Sequence, residues 1–102
     1  MENLENKYEG KYYIVRGDRS GVFAGEIESR NGREVIMKNV RRLWYWDGAC
    51  SISELSVNGT ARPRDCKFTI VVEKLEILDA IEIIECTKIA EDCIKGVKEW
   101  KY

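Results

Sequence analysis

With 102 residues, 17 basic and 18 acidic side chains, and a net charge of −1, this chain can bury one modest core and not two. The balance speaks against binding duplex nucleic acid, which needs a largely positive surface. Having no histidine, the chain lacks the commonest general base and any Cys-His or Ser-His pair, so it is expected not to be an enzyme.

The element order follows from periodicity and turn chemistry. Residues 1–7 read as a polar, frayed arm. Tyr12-Tyr13-Ile14-Val15 is aromatic and β-branched, hence a strand. The segment Arg16 to Gly21 carries two glycines, an Asp and a Ser and is a turn. An extended pattern resumes over 22–28. Asn31-Gly32 is a type I′ hairpin signal, with both central positions needing positive φ. The returning strand covers 33–39, and the run 40–46 is another strand or its continuation past a bend.

Asp47-Gly48 breaks the sheet, and Ser51-Ile52-Ser53-Glu54 has the form of a capping box that opens a short helix closed by Asn58-Gly59. Arg62-Pro63-Arg64-Asp65 is a turn. A strand is expected over 66–72, with Phe68, Ile70 and Val72 on one face. A second, bent near Asp79, is expected over 75–86, because isoleucine recurs there at period two. Thr87 caps a last helix whose apolar positions are Ile89, Cys93, Ile94 and Val97, with Trp100 one turn further on. The predicted fold is α+β in a single domain: an antiparallel meander or small barrel-like sheet, a short inserted helix and a C-terminal helix.

Charge is unevenly placed. Residues 16–64 hold all eight arginines plus Lys38 against six acids, for +3, whereas residues 65–102 hold six lysines against nine acids, for −3. Within the basic half, Arg41-Arg42-Leu43-Trp44-Tyr45-Trp46 gathers forked donors suited to phosphate and flat faces suited to a base. Alternation puts Arg42, Trp44 and Trp46 on one face and Arg41, Leu43 and Tyr45 on the other. Two readings stand: a pocket wall with a charged end, or an arginine stacked on core aromatics. Arg16 and Arg19 flank a glycine-bearing loop whose free N–H groups could form an anion nest, although its glycines are better explained by hairpin geometry. The candidate ligand contacts are therefore Arg16, Arg19, Arg41, Arg42, Trp44, Tyr45, Trp46 and Ser51.

Cys50, Cys66, Cys86 and Cys93 form no C-x-x-C pair and have no histidine to complete a zinc site, so no metal or other cofactor is implied. They read as reduced, mostly buried thiols. No signal peptide is evident and no apolar run has membrane-spanning length, which together point to a cytoplasmic protein.

The phrases Arg19–Gly25, Asn39–Ala49 and Ile83–Thr87 resemble a family of small phage and prophage proteins of unknown function, over roughly Tyr12 to Trp100. That resemblance implies a compact, cofactor-free protein. It also suggests a sponge of the Sequestin type, which sequesters a bacterial immune nucleotide signal such as a cyclic ADP-ribose isomer of Thoeris defence. Such a ligand carries a pyrophosphate and an adenine, matching arginines and aromatic faces, and a homo-oligomer could build the pocket between subunits. A protein–protein inhibitor or adaptor acting on a host enzyme is the alternative, using the same Trp, Tyr and Arg as hot spots. Single-stranded nucleic-acid binding is a third, opposed by the acidic C-terminal half.

Overall fold

Strand β1 (Tyr13–Gly17) is apolar on both faces, and the fold uses both. The computed structural model describes residues 7–101, so the polar arm expected over 1–7 lies outside the described residues except for Lys7. On one side of β1, Tyr12 and Ile14 meet the helices; on the other, Tyr13 and Val15 enter a second core. β1 pairs antiparallel with β2 (Val22–Asn31) and with β6 (Ala80–Glu85).

β2 returns as β3 (Glu34–Tyr45) through a tight turn centred on Gly32 and Arg33. Only Gly32 there has positive φ (62°), so the turn follows the II′ pattern and not the expected I′. β3 is one continuous strand past a bend. At that bend Asn39 sits at φ 49°. The ladder bulges beside Gly25, where a Cβ would lie 2.7 Å from the Val40 Cα, so glycine permits the close approach of the two backbones. The bend changes which face of β3 is buried: Val35, Met37 and Val40 enter one core, and Leu43 enters the other.

Two expectations for the later strands are corrected. The strand expected over 66–72 is only β4 (Lys67–Phe68), paired with the end of β3. The Thr69 N–H still donates to the Arg42 carbonyl (3.0 Å), but the Arg42 N–H goes to the Thr69 hydroxyl (3.0 Å) in place of its carbonyl, so the ladder ends there and Ile70 and Val71 leave half exposed. The expected long strand is two, β5 (Val72–Ile77) and β6, separated by Leu78-Asp79. β5 pairs with β3 while β6 pairs with β1, on opposite margins of the sheet. The result is an open, curled antiparallel sheet of six strands, in the order β4-β3-β2-β1-β6 with β5 also on β3. The Ala80 N–H donates to the Arg33 carbonyl (3.0 Å), tying the β6 margin to the hairpin tip. Tyr13, Val15, Phe23, Ile27, Val35, Met37, Val40 and Ile77 fill the curl.

Helices α1 (Ile52–Asn58) and α2 (Lys88–Gly96) cover the other face through Leu55, Ala90 and Ile94. Both start where hydroxyl caps stand. Ser51 accepts the Glu54 N–H (3.1 Å), Glu54 accepts the Cys50 N–H (2.8 Å), and Thr87 accepts the Ala90 N–H (3.0 Å). Gly59 closes α1 at φ 74°. The apolar face of α2 is rotated from the expected one: Ala90 and Ile94 are buried, whereas Ile89 is 71% exposed. Trp100 is not on the helix. α2 ends at Gly96, and the chain turns so that Glu99 bridges Phe68 in parallel and the Trp100 N–H donates to the Phe68 carbonyl (2.9 Å).

Candidate functional site

Arg41 and Arg42 are neighbours with opposite fates, because a strand sends them to opposite faces. Arg41 is only 2% exposed. Its guanidinium donates to four carbonyls: Thr69 O (3.0 Å), Ile94 O (2.8 Å), Val97 O (2.9 Å) and Phe68 O (3.3 Å). Two of these belong to the end of α2, where orphan carbonyls and the negative end of the dipole favour a cation. It also lies over the Phe68 ring, 5.6 Å from the centroid. Burial lowers its pKa, with Tyr12 and Glu99 opposing. Arg41 is therefore a clamp between sheet and helix, and the expectation that it contacts a ligand is corrected.

Arg42 stacks over Phe23, 4.5 Å from the centroid, and donates to the Ser20 carbonyl. Arg42 thus rests on a core aromatic, and it also lines a depression of about 490 Å³ with Arg19, Ser20, Leu75, Leu78 and Asp79. Arg19 and Arg42 are thus brought together, while Arg16 is not; its guanidinium pairs with Glu82 on β6 (2.8 Å).

The loop between β1 and β2 does form an anion nest, but the anion is the protein's own. Asp79 Oδ2 accepts the N–H groups of Arg19 (2.7 Å) and Ser20 (3.2 Å), and Oδ1 accepts the Ser20 hydroxyl (2.6 Å). The Ser20 hydroxyl, and after it the Arg19 N–H, hold this carboxyl below the usual carboxylate range. The nest serves to lock the β5–β6 turn onto the β1–β2 loop. Ser51 is likewise engaged in capping α1.

The three aromatics of the block divide. Trp46 follows the end of β3, where the pairing with β4 shifts register, and packs against the helical core instead of lying on the Arg42 face. Trp44, at 59%, and Tyr45, at 47%, are exposed. Trp44 meets Trp100 with ring centroids 5.4 Å apart and planes tilted by 42°. Lys67 Nζ lies over both, 5.9 Å from Trp44 and 5.4 Å from Trp100. Beside Trp100 runs a groove of about 490 Å³ lined by Pro63, Arg64, Cys66, Val97, Lys98 and Glu99. This aromatic pair with three cations around it is the arrangement best suited to a flat, anionic ligand. Arg64, Lys67, Lys98 and Trp100 were not among the expected contacts. The available signal was that Trp100 is the third tryptophan and has no place on a helix that glycine ends.

Among the described residues, no group of three or more His, Cys, Asp or Glu side chains could hold a metal ion, and no helix is long and apolar enough to cross a membrane. Compared with curated proteins and with solved structures, the chain matches none. A family model does match residues 10–94, a span that holds Trp44, Arg64 and Lys67 and ends before Lys98 and Trp100. The chain belongs to that family, described as "Domain of unknown function (DUF6948)".

Proposed function

We propose that this protein binds a small nucleotide without turning it over, and that it acts by sequestration. The observation that carries the reading is the solvent-facing Trp44–Trp100 pair with Lys67 over both rings. A base stacks on the indoles, and phosphate groups reach Lys67, Arg64 and Lys98 along the adjoining groove. The groove's volume of about 490 Å³ falls within the range of small-molecule sites. A chain without histidine suits a binder, since capture needs affinity and no general base. In this reading the ligand is a phosphorylated immune signal of the cyclic ADP-ribose kind, the class to which the phage-protein resemblance points, and capture silences a Thoeris-type defence in the infected host.

The test is direct. The protein is incubated with lysate from cells whose TIR enzymes are active, then washed and denatured, and released nucleotides are identified by mass spectrometry. Binding of the identified nucleotide is then measured by calorimetry for the parent, Trp44→Ala, Trp100→Ala and Lys67→Ala. Each aromatic loss is expected to weaken binding by about tenfold to a hundredfold, matching about 1–3 kcal/mol per stacked base. Recovery of no nucleotide, or undiminished binding by both Trp variants, would overturn the assignment.

A second reading is favoured by one feature. Trp44, Tyr45 and Trp100 are exposed, as are Ile70 and Val71, and aromatic side chains of this kind are typical hot spots of an interface for a host protein. That reading expects a stable protein complex in a pull-down that Trp44→Ala disrupts, with no nucleotide carried through purification.

A further inference from the structure

We infer that the outer edge of β6 is a self-pairing surface on which a second copy of this chain adds antiparallel, joining two sheets across a two-fold axis. β6 pairs with β1 along one side. The Cys86 N–H donates to the Tyr12 carbonyl (2.8 Å), so Cys86 and, by alternation, Ile84 and Glu82 aim their backbone groups at β1. The N–H and C=O of Ile83 and Glu85 therefore point the other way, toward the margin of the sheet.

The hairpin tip ties off the Ala80 end of this edge and the ladder bulges beside Ile81, which leaves the stretch from Ile83 to Glu85 as its open part. Its sequence, Ala80-Ile81-Glu82-Ile83-Ile84-Glu85, contains no lysine, proline or glycine. Ile81 is 44% exposed and Leu78, just before it, 66%. A groove of about 540 Å³ runs along this edge between Ile81, Ile83 and the hairpin tip carrying Arg30 and Arg33.

Charge names the occupant. The N-terminal end of β6 lies beside Arg33, whose Nε reaches the Ala80 carbonyl (3.4 Å), with Arg30 in the same groove. The C-terminal end carries Glu85, which is half exposed and only loosely paired with Lys11 (3.7 Å). An antiparallel pairing of two β6 strands sets the C-terminal end of each against the N-terminal end of the other. Each Glu85 then approaches the second copy's Arg30 and Arg33, and the isoleucines meet near the axis. The complementarity is satisfied twice by one symmetry operation, as an isologous interface requires. Such a pairing is short, so the dimer is expected to be concentration-dependent rather than obligate. Each aromatic site stays on its own protomer and is carried in two copies.

Sedimentation velocity on the 102-residue chain over a wide concentration range, at low and high salt, tests this. The parent is expected to show a monomer–dimer equilibrium weakened by salt. Glu85→Arg and Arg33→Glu should each raise the dissociation constant by about tenfold or more, and the double variant Glu85→Arg/Arg33→Glu should restore dimer. That rescue separates the proposal from misfolding, because a misfolded single variant is not repaired by a second charge reversal. A parent that stays monomeric up to millimolar concentration, a dimer indifferent to both single variants, or a double variant no better than the singles would each overturn it.

Discussion

Arg41→Ala is the sharpest test of how sheet and helix are joined. The guanidinium is buried and donates to four carbonyls. Two of these retain another donor: Ile94 O receives the Val97 N–H, and Phe68 O receives the Trp100 N–H. The larger loss therefore falls on Thr69 O (3.0 Å) and Val97 O (2.9 Å), which the guanidinium serves directly. A hydrogen bond to a charged donor contributes about 1.5–3 kcal/mol net. Two such losses amount to about 3–6 kcal/mol, partly offset because the variant no longer buries a cation. A net cost of about 3–5 kcal/mol is a large share of the roughly 5–15 kcal/mol that holds a domain together. At about 4–8 °C per kcal/mol for a domain of this size, the melting temperature should fall by at least about 12 °C. Arg41→Lys should lie between the two, since one ammonium cannot span all the carbonyls. Thermal and urea melts followed by circular dichroism provide the readout. If Arg41→Ala lies within about 1 kcal/mol of the parent yet loses ligand binding, Arg41 is a contact residue and the clamp is misassigned.

Three further outcomes are expected. Because Asp79 titrates lower in the folded chain than in the unfolded one, its contribution to stability is fully present above the unfolded pKa, about 3.9, and is lost as pH falls through the lower folded value; Asp79→Asn should remove that acid-side component from a stability-versus-pH profile, and an unchanged profile would refute it. In thiol titration at neutral pH, exposed Cys50 should react fast, whereas Cys86, whose thiol burial pushes up to about 12, should react only on unfolding; a fast-reacting Cys86 would contradict its packing. Gly25→Ala should destabilise the domain, since its Cβ would meet the Val40 backbone at 2.7 Å; calorimetric melts that match the parent would show that the β2–β3 bend can relax.

Local chemistry was legible along most of the chain. The caps at Ser51 and Thr87, the break at Asp47-Gly48 and the glycine stop at Gly59 each rest on one residue's preference, and each stands in the fold. What failed had long-range causes. Leu75 to Cys86 alternates smoothly enough to read as one strand, and only Asp79, captured by the Arg19 and Ser20 amides some 60 positions earlier, turns it into two. Ile70 and Val72 look as buried as Phe68 until Thr69 satisfies Arg42 with its own side chain.

The candidate site illustrates the same division. The sequence names the ingredients, arginines and tryptophans near a nest of backbone N–H groups, but not where the fold distributes them. The nest is filled by Asp79 and the most buried arginine is spent on helix carbonyls. Trp46 turns into the core at a register shift. Trp44 stays exposed, and the partners around it come from 23 and 56 positions away, at Lys67 and Trp100. Both are placed by one ladder: β4 pairs with the end of β3, and the Phe68 carbonyl then holds the Trp100 N–H. The Arg41 guanidinium reaches that same carbonyl, at 3.3 Å. The clamp and the aromatic site therefore share a backbone group. Substituting Arg41 should disturb the setting of Trp100 even though the Arg41 guanidinium is itself buried, so under the proposed function a loss of binding by an Arg41 variant carries information about contact only when its stability is unchanged.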